Sequence, residues 1–179
     1  MDAEVLLPPE DFPDPPAREF VAWAARTRGP VLDIGALFGL TTLAALHTEA
    51  YVVASDTDAR PLERLVQEAE RVGLGDKLKV RRGHFPTRLD FPSDTFSGIL
   101  VSRVMHSFDT VTLQEATAKL FFWLRPAGKV FVTVDANDDD VAPEALDRIF
   151  RTQGFIVERA EYFGGPEGRD SVALIARKI

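Results

Sequence analysis

The sequence contains no cysteine. That excludes disulfides, a thiolate nucleophile and cysteine-ligated zinc, and it fits a reducing compartment. Positive charge is also scarce. Lysine and arginine total 21 against 28 acidic residues, for a formal charge of −7 and a pI near 5.0. Proteins that hold nucleic acid neutralise phosphates with a basic surface, so this balance disfavours a nucleic-acid partner. The pair Arg81-Arg82 reads as a solvated strand end. No apolar run approaches the roughly 20 residues needed to span a bilayer. The first residues, MDAEVLLPPEDFPDPP, are acidic where a secretory signal is basic. Together these absences imply a cytoplasmic protein without a membrane partner. Internal repeats and long linkers are missing too.

What is present is a chain of 179 residues, 45% hydrophobic and 27% charged, enough for one full core and most simply one domain. Residues 1–16 form a proline-rich segment, with Pro8, Pro9, Pro13, Pro15 and Pro16. Such a segment cannot continue a helix or join a central strand, so it drapes over the surface or closes over a site as a lid. Residues 17–179 form the domain. Phe20, Val21, Trp23, Ala24 and Ala25 recur at helical spacing within 17–28, and Asp14 is a plausible cap. After Pro30 the pattern alternates: strands at 31–34, 51–55, 78–82, 97–101 and 129–134, helices at 39–48, 60–73, 111–124 and 143–153. This predicts an α/β fold, a mostly parallel sheet with helices on both faces. GFIVERAEYF, a glycine-rich turn and SVALIARKI then read as a C-terminal antiparallel hairpin, for seven strands in all.

The stretch VLDIGALFGLTTLAAL, 31–46, runs from a buried strand through a turn into a helix. In open α/β sheets ligands bind beyond the carboxyl ends of the strands, at this kind of turn. Asp33, Gly35, Ala36 and Gly39 fall there. The glycines let a ligand approach the backbone, free N–H groups at the helix start attract an anion, and the carboxylate suits a cation. A ligand carrying both an ammonium and a carboxylate fits this set, as does the amino-acid end of S-adenosylmethionine. A dinucleotide site would want G-x-G-x-x-G around a pyrophosphate, which Asp33 would repel. The next strand ends at Asp56, 23 residues after Asp33, near the roughly 20-residue spacing of an acid that binds ribose hydroxyls. Thr57 stands beside it, and Asp58 is the more natural helix cap.

These residues resemble the class I S-adenosylmethionine-dependent methyltransferases, and the likeness runs from about Gly29 to the C-terminus. VLDIGALFG looks like the first motif of that family, ASDTD like its ribose-binding acid, and GHFP like the loop after the third strand. FSGILVSRVMHSF resembles the fourth-strand motif, and WLRPAGKVFVTV the helix, turn and fifth strand, with Ala127 where the first glycine of L-x-P-G-G-x-L is frequent. More narrowly, LDIGALFGLTTLAAL, GHFP and SRVMHSF followed by FFWLRP are similar to a set of small bacterial members. The resemblance implies a Rossmann-like class I methyltransferase fold, S-adenosyl-L-methionine as cofactor, and methyl transfer to a small-molecule acceptor, as in secondary metabolism. Two departures stand out. Leu37 occupies the position of the family's middle glycine, and His84 stands where an acid often contacts the adenine amino group. His84 would accept a hydrogen bond from that group and Phe85 would pack on the ring; alternatively His84 faces solvent and Phe85 belongs to the core.

Methyl transfer asks the protein to align the acceptor and, where needed, remove its proton. Ser102, Arg103, His106 and Asp109 follow the fourth strand, next to the expected methyl position. Ser102 is assigned to the cofactor. His106 is the candidate catalytic base, with packing or hydrogen bonding as its other reading. Arg103 orients an acceptor carboxylate or is a surface arginine. Asp135 opens VDANDDD at the binding edge, either drawing a cationic acceptor or belonging to a solvated loop. Phe12 and Phe38 complete the acceptor candidates. Small catechol-type relatives hold magnesium with an acid at the position of Ser102, so no metal is expected. Two alternatives stay open: a methyltransferase fold repurposed for non-methylating catalysis or binding, and a nicotinamide-dependent oxidoreductase. The sequence leaves the oligomeric state open.

Overall fold

A computed structural model describes residues 14–37, 39–136, 139–165 and 167–179. Helix α1 spans Pro15–Ala24, earlier at both ends than the predicted 17–28. Proline is tolerated in a first turn because the N–H it lacks would be unpaired anyway. Asp14 closes that turn by accepting the Ala17 N–H at 3.2 Å. Ala17, Phe20, Val21 and Ala24, one stripe of the helix, are buried. Phe20 meets Phe131 edge to face at 5.9 Å, and Trp23 Nε1 donates to the Ser97 carbonyl at 2.8 Å. Phe20 is thus core, and Trp23 packs partly buried against the same cluster.

The strands are β1 (Val31–Ile34), β2 (Val52–Asp56), β3 (Leu78–Arg82), β4 (Phe96–Ser102), β5 (Leu124–Asp135), β6 (Ile156–Phe163) and β7 (Ser171–Arg177). The helices between them are α2 (Leu40–His47), α3 (Ala59–Arg71), α4 (Thr110–Trp123) and α5 (Pro143–Gln153). They build a seven-stranded sheet in the order β3-β2-β1-β4-β5-β7-β6. β1 to β5 pair in parallel, and β7 runs antiparallel between β5 and β6. The strand order reverses between β1 and β4, which makes their carboxyl ends the switch point of the sheet.

Strand alternation assigns the two faces. Val31, Leu100 and Phe131 pack with α1 and α2 on one side. Leu32, Ile34, Ile99, Val101, Val130 and Val132 pack with α4 and α5 on the other. β5 begins at Leu124, five residues before the predicted start, because the chain bulges through Ala127 (φ 63°) and then resumes pairing at Lys129. Among the described residues no helix is long and apolar enough to cross a membrane.

Candidate functional site

The register brings the candidate residues to one edge. Asp33 pairs with Ala54 and Leu100, Ile34 with Ser55 and Val101, and Ser102 with Thr133. Beyond Ile34 the chain turns through Gly35 (φ 81°), Leu37 (φ 46°) and Gly39 (φ 76°) before α2 begins. Gly35 and Ala36 both donate N–H to the Ser55 carbonyl, at 2.9 and 3.1 Å, and Leu37 donates N–H to Asp56 Oδ2 at 3.0 Å. The end of β2 therefore holds the turn in place. A Cβ on Gly35 would stand 2.6 Å from Val104 Cγ2 and 2.7 Å from the Ser102 carbonyl; one on Gly39 would stand 2.4 Å from Leu65 Cδ1. Both positions need glycine for φ and for space.

Two cavities adjoin across this turn, sharing Gly35, Leu37 and Ser102 in their linings. The first, about 230 Å³, lies between Asp56, Thr57, Gly83, Phe85 and Arg103. The second, about 180 Å³, reaches Asp33, Ala36, Gly39 and Thr41. Eight of the nine residues assigned from sequence to the cofactor thus line the first cavity, the second or both; the exception is His84.

Asp33 is 1% exposed, and Thr42 Oγ1 donates to its Oδ2 at 2.7 Å. Burial pushes its carboxyl up to about 6; the Thr42 hydroxyl opposes that, and the nearby carboxylates of Asp56 and Asp14 add to it. Asp56 accepts from Leu37 N–H on Oδ2 and from Asp58 N–H on Oδ1 at 3.1 Å. Thr57 Oγ1 also reaches Oδ1, at 3.5 Å, so of the roughly four lone-pair sites of a carboxylate the spare capacity for a ligand hydroxyl lies on Oδ2. Asp58 caps α3 through the Arg60 N–H at 3.0 Å.

His84 is exposed, its Nδ1 3.4 Å from Thr87 Oγ1, and it lines neither cavity. Phe85 is buried in the core, 6.0 Å from Trp123 and 6.2 Å from Phe108, and it reaches the wall of the first cavity. The chain turns away between these neighbours, so they do not act on one face. His106 sits in the short turn Met105–Ser107; its Nδ1 is enclosed with no hydrogen-bond partner, and the residue lines neither cavity. Arg103, with φ 52°, pairs with Asp135 Oδ1 and lies 3.3 Å from Ser171 Oγ. The two residues assigned separately to an acceptor thus engage one another. Phe12 and Phe38 lie outside the described residues.

Sequence reasoning missed Thr42 and the link from Asp14 to Thr133, whose hydroxyl donates to Asp14 Oδ1 at 2.7 Å, while Leu37, singled out at the glycine position, lines both cavities. Thr42 was findable, because a hydroxyl in the first turn of α2 points back toward the strand that feeds it. Asp14 and Thr133 are 119 residues apart, with no local signal. Among the described residues no group of three or more histidines or acids could hold a metal ion.

Comparison with known proteins agrees with this geometry. A family model described as a methyltransferase domain matches residues 31–128, more than half of the chain. No curated protein matches the sequence. Among solved structures, the 1,6-didemethyltoxoflavin-N1-methyltransferase of Burkholderia thailandensis, with bound 1,6-didemethyltoxoflavin and S-adenosylhomocysteine, is similar with a TM-score of 0.74 and 21% identity, over 93% of this chain and 79% of that one. The glycopeptide N-methyltransferase MtfA complexed with S-adenosyl-L-methionine is similar with a TM-score of 0.70 and 19% identity, over 94% and 96%. The [4+2]-cyclase SpnF is similar with a TM-score of 0.73 and 15% identity, over 90% and 79%. With the family match covering the Asp33 turn, Asp56 and β4, the chain belongs to the class I S-adenosylmethionine-dependent methyltransferases.

Proposed function

We propose that the protein transfers a methyl group from S-adenosylmethionine to a small-molecule acceptor, without a metal, in the cytoplasm. The carrying observation is the convergence of Asp33, Gly35, Asp56 and Ser102 on two adjoining cavities at the switch point of the sheet. The donor set suits the cofactor: a buried carboxylate for an ammonium, a second carboxylate with spare lone pairs for ribose hydroxyls, and a glycine where a Cβ would collide with β4. When bound, S-adenosylmethionine supplies an electrophilic methyl group on a sulfonium.

In this reading Asp33 holds the ammonium, and the uncapped start of α2 after Gly39 favours the carboxylate. Ala36 lets the ligand approach the turn. Asp56 and Thr57 bind the ribose side, Phe85 bounds the base, and Ser102 lies between the two ends. His84 contributes only if its exposed ring turns back toward the base. Arg103 and Asp135 orient the acceptor from the rim, and their pairing keeps both side chains there before it arrives. On sequence grounds His106 takes the acceptor's proton; with Nδ1 enclosed, the nitrogen that would do so is Nε2. Phe12 and Phe38 stand as acceptor contacts on sequence grounds, with residues 1–16 as the cover. The chain enters the described fold at Asp14, which bonds Thr133 at this same edge.

Similar structures support a small acceptor, since one carries 1,6-didemethyltoxoflavin and another is named for a glycopeptide. A second reading keeps the cofactor but not methyl transfer. Leu37 favours it by intruding on both cavities, and the fold is shared with a [4+2]-cyclase. Calorimetry with S-adenosylhomocysteine tests the site: micromolar binding is expected, and absence of binding to the protein with and without acceptor candidates overturns the reading. Methyl-labelled S-adenosylmethionine with an acceptor library then separates the two readings by whether a labelled product forms.

A further inference from the structure

β3 is an edge strand, and its side chains divide between two environments. Leu78 and Val80 pack toward Leu62 and Leu65 of α3. Strand alternation therefore turns Lys79 and Arg81 to the opposite face. No helix covers that face near β3, because the crossover from β3 to β4, residues 83–95, contains none. A cleft of about 350 Å³ remains beside the crossover, larger than either cavity at the switch point. Val53, Phe91 and Phe96 give it an apolar floor, Tyr51 is exposed at one end, and Lys79 and Arg81 stand along its wall.

Neither Lys79 nor Arg81 has an ion-pair partner among the described residues, although the protein is acidic overall. The other cation of the cleft, Lys77, is already paired with Glu49. Two residues apart on one strand face, Lys79 and Arg81 have Cα atoms about 7 Å apart. They repel until an anion sits between them. A carboxylate there would take the Arg81 fork through two hydrogen bonds and Lys79 as a point charge. Asp76 on the rim and the net charge of −7 oppose a polyanion. Cations on an edge strand also deter strand pairing, but that role needs no apolar cleft beside them.

We propose that this cleft is a second small-molecule site, taking an organic monoanion with a flat apolar body, of the aryl carboxylate class. It is separate from the methyl-transfer site and does not depend on it. The probe is 2-naphthoate, titrated into the whole chain by calorimetry and by amide chemical shifts. Saturable binding tighter than about 1 mM is expected, with shifts centred on Val53, Lys79, Phe91 and Thr95. The double variant Lys79→Gln, Arg81→Gln should bind at least about tenfold more weakly while its melting midpoint stays within a few degrees of the parent. The neutral analogue 2-naphthylmethanol should bind about tenfold more weakly to the parent protein. Shifts centred on Gly35 and Asp56, equal binding of the alcohol, equal binding by the variant, tighter binding of inorganic phosphate, or no saturation by about 1 mM each overturn the proposal.

Discussion

Leu37 donates its backbone N–H to Asp56 Oδ2 at 3.0 Å, so the turn after β1 and the acid that ends β2 are a single structural unit. Asp56 cannot then be only a ligand contact. Hydrogen bonds to a charged group contribute about 1.5–3 kcal/mol, and Asp56→Ala also leaves the Asp58 N–H without its acceptor. The variant should lose about 1–3 kcal/mol of stability in a urea titration and bind S-adenosylhomocysteine at least tenfold more weakly. A variant with full stability and tenfold weaker binding would mean that the acid serves the ligand alone.

Leu37 itself is held at φ 46°, where an L-residue with a Cβ is disfavoured by about 1–2 kcal/mol. Its side chain is 52% exposed, so little packing offsets that cost. Leu37→Gly should raise stability by about 0.5–1 kcal/mol after the entropy that glycine adds to the unfolded chain. It should also join the two cavities and change the affinity for S-adenosylhomocysteine. A lower urea midpoint would show that apolar contacts of Leu37 outweigh its backbone strain.

Why Asp33 and Asp56 are legible in the sequence, and the exposure of Leu37 is not, follows from how each is specified. Asp33 and Asp56 end short apolar strands, and strand ends are read from local hydrophobicity. The elements around them were legible for the same reason: β1, β3 and α5 match their expected bounds. The sequence puts Leu37 beside the turn at a glycine position of the family it resembles, and only the left-handed φ of 46° shows that its side chain is sent outward between the two cavities. The Arg103–Asp135 pair and the Asp14–Thr133 bond join residues 32 and 119 apart, so they depend on strand order, which local patterns do not carry. For His84 and Phe85 the sequence leaves two arrangements open, and the structure has the one with His84 exposed and Phe85 in the core, because the direction of a loop side chain depends on which neighbour the core takes.

Ala127 offers a test of the bulge that starts β5. It is exposed at φ 63°, where glycine is frequent in the family it resembles, and its N–H donates to the Lys178 carbonyl at 3.0 Å. Glycine keeps that hydrogen bond and removes the Cβ. Ala127→Gly should therefore stabilise the fold by about 0.5–1 kcal/mol, read as a higher urea midpoint with an unchanged slope. A loss of similar size would mean that the backbone at 127 relaxes out of the left-handed region in solution.

Asp33 links pH to both stability and binding. Its carboxyl rises from 3.8 to about 6 on folding, chiefly because burial disfavours the charge. Between those values the unfolded chain has released its proton while the folded protein still holds it. Raising pH from about 4 to 6 therefore costs stability, up to roughly 3 kcal/mol from this group, and the loss levels off above the folded value. Asp33→Asn carries no such charge, so its stability should be flatter over that window and higher than the parent's at pH 7. In the proposed reading the ammonium of S-adenosylhomocysteine reverses the preference, because a cation beside the carboxyl favours its ionised form. Binding should release a proton near pH 6 and tighten as pH rises from 5 to 7, and the Asn variant should lose both affinity and that dependence. Calorimetry in buffers of different ionisation enthalpy reads the proton directly, and a pH-independent affinity in the parent protein would remove Asp33 from the ammonium site.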